Sequence, residues 1–106
     1  MLETELTRYF GHSMFREGQR QVVQAVLDGK HTVAIMPTGQ GKSVCYQLPA
    51  MMLEGTTLVV SPLIALMKDQ VDGLLERGIP ATFINSSLDA DEAEHRLTRM
   101  AAGAYK

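Results

Sequence analysis

Apolar positions along the chain alternate between two spacings. Leu2, Leu6 and Phe10 stand four apart and predict a short helix over 2–10, stopped by Gly11. The pairs Val22/Val26 and Val23/Leu27 predict a second helix over 17–27, closed by Asp28-Gly29. Thr32–Met36 is different: a continuous apolar run rich in β-branched residues between Gly29 and Pro37, which predicts a buried strand. Two further runs have this character. Thr57–Val60 ends at Ser61-Pro62, and Ala81–Ile84 ends at Asn85-Ser86. Between them Leu63, Leu66, Met67, Val71, Leu74 and Leu75 fall on one helical face. Ser61 is the expected cap of that helix, Pro62 its first residue, Gly78 its end, and Pro80 guards the exit. A last helix is expected over 89–102, with Ala90, Ala93, Leu97, Met100 and Ala101 in one stripe. Asp89 and Glu92 form a capping-box-like start, and the acids of its first turns complement the helix dipole. Strands alternating with helices predict an α/β fold, a parallel sheet with crossover helices. Unbroken apolar runs suit a sheet covered on both faces.

Composition narrows the class. The chain has 106 residues, 45% of them hydrophobic and 21% charged, which excludes a disordered or collagen-like chain and allows one domain at most. A chain this short buries only a thin core. No apolar stretch approaches the ~20 residues that span a bilayer, so no membrane partner is expected. The first twenty residues carry charges where a signal peptide is apolar, and a cytoplasmic location follows as the expectation. Ten basic against twelve acidic residues give a net charge of −2, so any contact with nucleic acid must be local. The one cysteine, Cys45, excludes an internal disulfide or a multi-cysteine zinc site and reads as a small buried hydrophobe. His31 and His95 are isolated, with no metal-ligand spacing around them.

The strongest chemical signal is Met36-Pro37-Thr38-Gly39-Gln40-Gly41-Lys42-Ser43, placed after a predicted strand and before a predicted helix that begins near Gly41. A triphosphate needs several donors converging on its oxygens. Glycines let backbone N–H groups approach closely, and a helix start adds the positive end of its dipole. Lys42 is the expected partner of the β/γ-phosphates, and the Ser43 hydroxyl the expected ligand of Mg²⁺. The general phosphate-loop pattern begins with glycine, where this chain has Met36. The remaining G-x-G-K-S core arises by chance in about 0.5% of chains of this length.

Three stretches, FGHSMFREGQRQVVQAVLDGK, MPTGQGKSVCYQLPA and VVSPLIALMKDQV, resemble in order and spacing the opening motifs of RecQ-type DNA helicases of superfamily 2. The resemblance is strong over 10–71 and weaker to Lys106. It implies that this chain is the N-terminal part of a RecA-like, ATP-binding helicase domain whose continuation is missing. It implies ATP and Mg²⁺ as cofactors, bound through Thr38, Gly39, Gln40, Gly41, Lys42 and Ser43, with Lys42 also catalytic. It further implies an adenine clamp of His12, Arg16 and Gln19 with Phe15 packed beneath. A glutamine amide both donates to and accepts from the adenine edge. The chain departs from the family at His12, where a tyrosine is usual, at Glu17, which replaces a common proline, and at Gln40, which replaces a glycine. Ser61, Pro62 and Lys68 match the family's next motif, which touches the backbone of single-stranded DNA. The whole enzyme so implied is a 3′-to-5′ helicase acting on single-stranded or branched DNA in recombination and repair, nucleoid-associated in a bacterium.

Hydrolysis in this family also needs an Asp-Glu box on a later strand and an arginine from a second RecA-like domain. Asp91-Glu92 is followed by Ala93-Glu94 and lies in a helical pattern, so it is not that box. Strands that flank the phosphate-loop strand also come from later sequence in RecA-like domains. The expectation is therefore a piece that binds nucleotide weakly and does not hydrolyse ATP or unwind DNA alone. Two alternatives remain from the sequence: a stand-alone non-catalytic nucleotide-binding module, and a phosphate-loop phosphotransferase, whose arginine-rich lid this chain lacks. Oligomeric state is left open.

Overall fold

A computed structural model describes residues 1–37 and 41–106. These residues form five helices: α1 (Leu2–Phe10), α2 (Gln19–Leu27), α3 (Val44–Met52), α4 (Ile64–Glu76) and α5 (Ala90–Ala101). They fall into two compact units, Met1–Glu54 and Gly55–Lys106.

In the first unit α3 packs against α2 and α1. The predicted stripe of α1 is its buried face: Leu2, Leu6 and Phe10. Val23 of α2 is buried as well, and α3 adds Val44, Cys45, Leu48 and Pro49. Pro49 lies inside α3 and removes one helical N–H, yet it is nearly fully buried. Gly11 stops α1 as expected, taking φ 74° so that its N–H reaches the Thr7 carbonyl. At the far end of α2, Gly29 takes φ 78°; its N–H reaches Val26 and that of Lys30 reaches Ala25, both at 3.0 Å. An Arg20 to Glu3 ion pair of 3.0 Å joins α2 to α1.

In the second unit, α4 ends in the same paired-bond motif. Gly78 donates to Leu75 and Ile79 to Leu74, each at 3.0 Å, and Ile79 is buried. At the start of α5 the Asp89 carboxylate accepts from the Glu92 N–H at 2.8 Å. The reciprocal half of the capping box is replaced: Glu92 pairs with Arg96 at 2.9 Å. Arg96 also donates to the Phe83 carbonyl at 2.8 Å and lies 4.8 Å over the Phe83 ring, tying α5 to the 81–84 run.

Several expectations have no counterpart among the described residues. No strand forms among the described residues, and the apolar runs are not buried. Val33 and Ile35 are 90% and 94% exposed; Leu58 and Val60 are 72% and 96% exposed. The reason is cooperative. A helix closes its hydrogen bonds within itself, whereas a strand exists only through a neighbour, and a parallel strand needs one brought in by a crossover. No backbone bond joins 32–36 to another run among the described residues. The α4 stripe suffers the same lack: no residue of α4 is buried, and Ile64, Leu66 and Leu75 are each about half exposed.

Helix starts are also displaced. Ser61 is not the cap of α4 and Pro62 is not its first residue. The Ser61 hydroxyl instead accepts from the Leu63 N–H at 3.2 Å, and Leu63, extended at φ −107° and ψ 95°, holds the helix off until Ile64. Likewise α2 begins at Gln19, because Gly18 before it takes the left-handed φ of 84°.

Two leucines test which contacts carry stability. Leu48 is fully buried, so Leu48→Ala is expected to cost about 2–5 kcal/mol. Leu58, though central to a predicted strand, is mostly exposed, and Leu58→Ala is expected to change stability by less than about 0.5 kcal/mol. Urea unfolding of the two variants checks this contrast.

Candidate functional site

The site grows from one side chain. Gln19 is the first residue of α2 and is 4% exposed. Its Oε1 accepts from the Arg16 backbone N–H at 2.7 Å, while its own backbone N–H donates to the Arg16 carbonyl at 3.1 Å. This reciprocal clasp closes the turn that precedes α2, the glutamine reaching the amide three residues before it. Its Nε2 donates across the unit to the Gly41 carbonyl at 2.9 Å. A backbone donor on one side and a backbone acceptor on the other fix which way the amide faces.

Gly41 answers to that contact. Its φ is 69°, and a Cβ there would stand 2.6 Å from Gln19 Nε2 and within 3.8 Å of the Arg16 guanidinium. Both the backbone conformation and the closeness of Gln19 exclude a side chain. Arg16, Gln19 and Gly41 are thereby brought together from two motifs that lie 22 residues apart between Gln19 and Gly41.

After Gly41 come Lys42, exposed, and Ser43, half-buried. The helix opens later than the sequence suggests. Ser43 is the residue before α3, already helical at φ −61° and ψ −33°, and its side chain makes no capping bond. Cys45 N–H donates to the Lys42 carbonyl at 3.0 Å, and Gln47 N–H to that of Ser43 at 2.8 Å, so these bonds build the first turn directly on the lysine-serine pair. Thr38, Gly39 and Gln40 lie outside the described residues.

Met36, where the general motif has glycine, sits under this turn. The Cys45 thiol donates to its sulfur at 3.8 Å, and a Cβ on Gly18 would touch its methyl at 3.6 Å. Burial pushes the Cys45 thiol up from its ordinary value, which suits the expected packing role and not a nucleophile.

The remaining candidates stand apart from this cluster. His12 is exposed, and its carbonyl accepts from the Thr7 hydroxyl at 2.9 Å. Phe15 is half-buried. In the second unit Lys68 is bound to Asp72 at 2.6 Å, a hydrogen bond that raises its pKa, with Asp72's charge adding to the effect. Pro62 is exposed and Ser61 is engaged with Leu63 as described. No group of three or more His, Cys, Asp or Glu placed to hold a metal occurs among the described residues, and no helix there is long and apolar enough to cross a membrane. The contact that sequence reasoning missed is Gln19 to Gly41. Its signal was present only as two separate motifs.

Comparison with known proteins defines the class. The family model for DEAD/DEAH box helicases matches residues 16–105, and the chain belongs to that family. Within it, the chain is similar to the ATP-dependent DNA helicase RecQ of Bacillus subtilis (strain 168). The two are 54% identical over 102 residues, covering 95% of this chain and 17% of the relative. RecQ of Pasteurella multocida is 52% identical over 97 residues, covering 92% of this chain and 15% of the relative. The probable ATP-dependent DNA helicase RecS of Bacillus subtilis is 47% identical over 94 residues, covering 88% and 19%. The chain thus spans about a sixth of the length of these relatives.

The Gly41 contact yields a paired test. Gly41 and Gly78 both have positive φ, but nothing lies within 4 Å of a Cβ on Gly78. Gly78→Ala carries backbone strain alone, about 1 kcal/mol. Gly41→Ala also drives a methyl into Gln19 and is expected to cost at least about 1 kcal/mol more. Thermal unfolding of both variants measures the difference.

Proposed function

We propose that this chain is the nucleotide-binding N-terminal part of a RecQ-type, ATP-dependent 3′-to-5′ DNA helicase. The observation that carries the reading is the Gln19 amide, which joins the residues assigned to adenine to the loop assigned to phosphates. The family match over 16–105 and the RecQ relatives support it.

The residues fit ATP by their donor set. Lys42 is an exposed cation two residues before α3 and would take the β/γ-phosphates, and the α3 N-terminus adds a favourable partial charge. The Ser43 hydroxyl would supply one oxygen to Mg²⁺, the phosphates and water supplying the rest. Thr38, Gly39 and Gln40 would complete the loop, with Arg16 and His12 beside the base. Magnesium with its nucleotide contributes charge neutralisation on the transferring phosphate. The protein residues bind and orient. The Asp-Glu box and the second-domain arginine are absent from these 106 residues, so ATP hydrolysis and unwinding belong to the longer enzyme.

The proposed fold of that enzyme's domain is RecA-like, with the 32–36, 57–60 and 81–84 runs as parallel strands. Their exposed β-branched residues support this, since such a surface suits burial between helices. Ser61, Pro62 and Lys68 are proposed to face single-stranded DNA. Lys68 then exchanges Asp72 for a phosphate. Work on DNA implies a location with the cytoplasmic nucleoid in a bacterium.

Two measurements test the reading. Lys42→Ala is expected to weaken ATP binding by about 2–3 kcal/mol, roughly 30- to 150-fold in Kd, by isothermal titration. Unchanged affinity removes the phosphate-loop assignment. Gln19→Ala is expected to lower the preference for ATP over GTP. The ratio is the informative quantity, because losing the Arg16 and Gly41 bonds lowers affinity for both nucleotides together.

A further inference from the structure

Thr7 holds both sides of the turn that leaves α1. Its carbonyl accepts from the Gly11 N–H at 3.0 Å, the bond that a left-handed glycine makes at a helix end. Its hydroxyl lies 2.9 Å from the His12 carbonyl and 3.0 Å from that of Glu3. A hydroxyl has one proton to donate. The Glu3 carbonyl, four residues back, is the usual partner of a helical threonine and already takes the Thr7 N–H in the helix. The His12 carbonyl has no other protein donor among the described residues. Of the two contacts, the one to His12 is therefore the one that fixes the chain.

Residues 12–18 form no helix and are held at two places. At the far end the Gln19 amide takes the Arg16 N–H at 2.7 Å, and the Gln19 N–H meets the Arg16 carbonyl at 3.1 Å. At the near end stands the Thr7 hydroxyl. Between them no hydrogen bond engages Ser13, Met14 or Phe15 among the described residues. His12, Ser13 and Met14 are exposed, so packing adds little to hold them. Thr7 is itself exposed and lies off the buried stripe of Leu2, Leu6 and Phe10, so its side chain does nothing for the core.

We infer that Thr7 is a positioning residue for nucleotide binding: its hydroxyl, acting through the His12 carbonyl, holds residues 12–16 in the path that presents His12 and Arg16 to the base. The inference rests on the assignment of those two residues to adenine and adds what keeps them in place. An exposed hydrogen bond contributes little to folding stability, because water replaces it when it is lost. Its effect falls on binding instead. Without it the segment is free beforehand, and the nucleotide must order it.

Two variants of the full chain test this. Thr7→Val keeps the branched shape and removes the hydroxyl, whereas Thr7→Ser keeps the hydroxyl. Thr7→Val is expected to weaken ATP binding about two- to tenfold by isothermal titration, the range of one such bond. Its melting temperature is expected to stay within about 3 °C of the parent. Its affinity for inorganic tripolyphosphate, which has no base, is expected to be unchanged. Thr7→Ser is expected to bind ATP as the parent does. Equal weakening of ATP and tripolyphosphate gives Thr7 a general structural role and overturns the inference. Unchanged ATP affinity in Thr7→Val overturns it too, as does a serine variant as weak as the valine one. A parent chain that binds ATP no more tightly than tripolyphosphate overturns the adenine assignment itself, and the inference with it.

Discussion

One buried amide sets the geometry of the first unit. Gln19 holds the Arg16 N–H with its oxygen and the Gly41 carbonyl with its nitrogen, at 2.7 and 2.9 Å. A buried amide left without partners costs about 1–3 kcal/mol, so these two bonds constrain the start of α2 and the turn before α3 together. Gly41 must be glycine because Gln19 is there, and the turn on Lys42 and Ser43 follows from the direction Gly41 gives the chain. The Cys45 thiol and the Met36 sulfur meet at 3.8 Å beside that turn, an apolar contact between its first helical turn and the residue before Pro37.

This arrangement explains which parts of the sequence could be read. Leu2, Leu6 and Phe10 predicted the buried face of α1, and Gly11 and Gly29 predicted its end and that of α2, because helix spacing and left-handed caps are local. Asp89 as the cap of α5 was legible for the same reason. Among the candidate site residues, Lys42 and Ser43 were named by a motif, and Arg16 and Gln19 only through a family resemblance. The bond between Gln19 and Gly41 could not be read at all. It depends on α2 and α3 packing side by side, and a pattern along one chain carries no sign of which glycine a distant glutamine will touch. Ser61 and Pro62 illustrate the opposite failure. They carry the residue types of a helix start, but a two-residue turn to Leu63 competes for the serine hydroxyl and displaces α4 by a few residues.

The sheet marks the limit of local reasoning. Val33, Ile35, Leu58 and Val60 have strand chemistry and no strand, since their pairing is non-local. The first unit still buries a core, because three helices can close around Leu6, Val23 and Leu48 without a sheet. In the second unit Ile79 is the buried hydrophobe, and Arg96 on Phe83 and Arg99 on Tyr105 substitute polar stacking for core. The two units thus differ in what they need from elsewhere.

That difference bears on how such a domain divides its tasks. Among the described residues, the contacts that shape the proposed nucleotide loop, from Arg16 through Gln19 to Gly41 and on to Ser43, lie within the first 54 residues and use helix termini and one amide. The proposed DNA-facing residues Ser61, Pro62 and Lys68 sit at or near the start of α4, whose apolar face is half exposed. An element that lacks a surface to rest on cannot hold its N-terminus at a fixed position, and a phosphate contact depends on fixed N–H groups. The geometry of the proposed nucleotide loop is therefore a property of local packing, whereas placement of α4 depends on a surface that the described residues of the second unit do not supply.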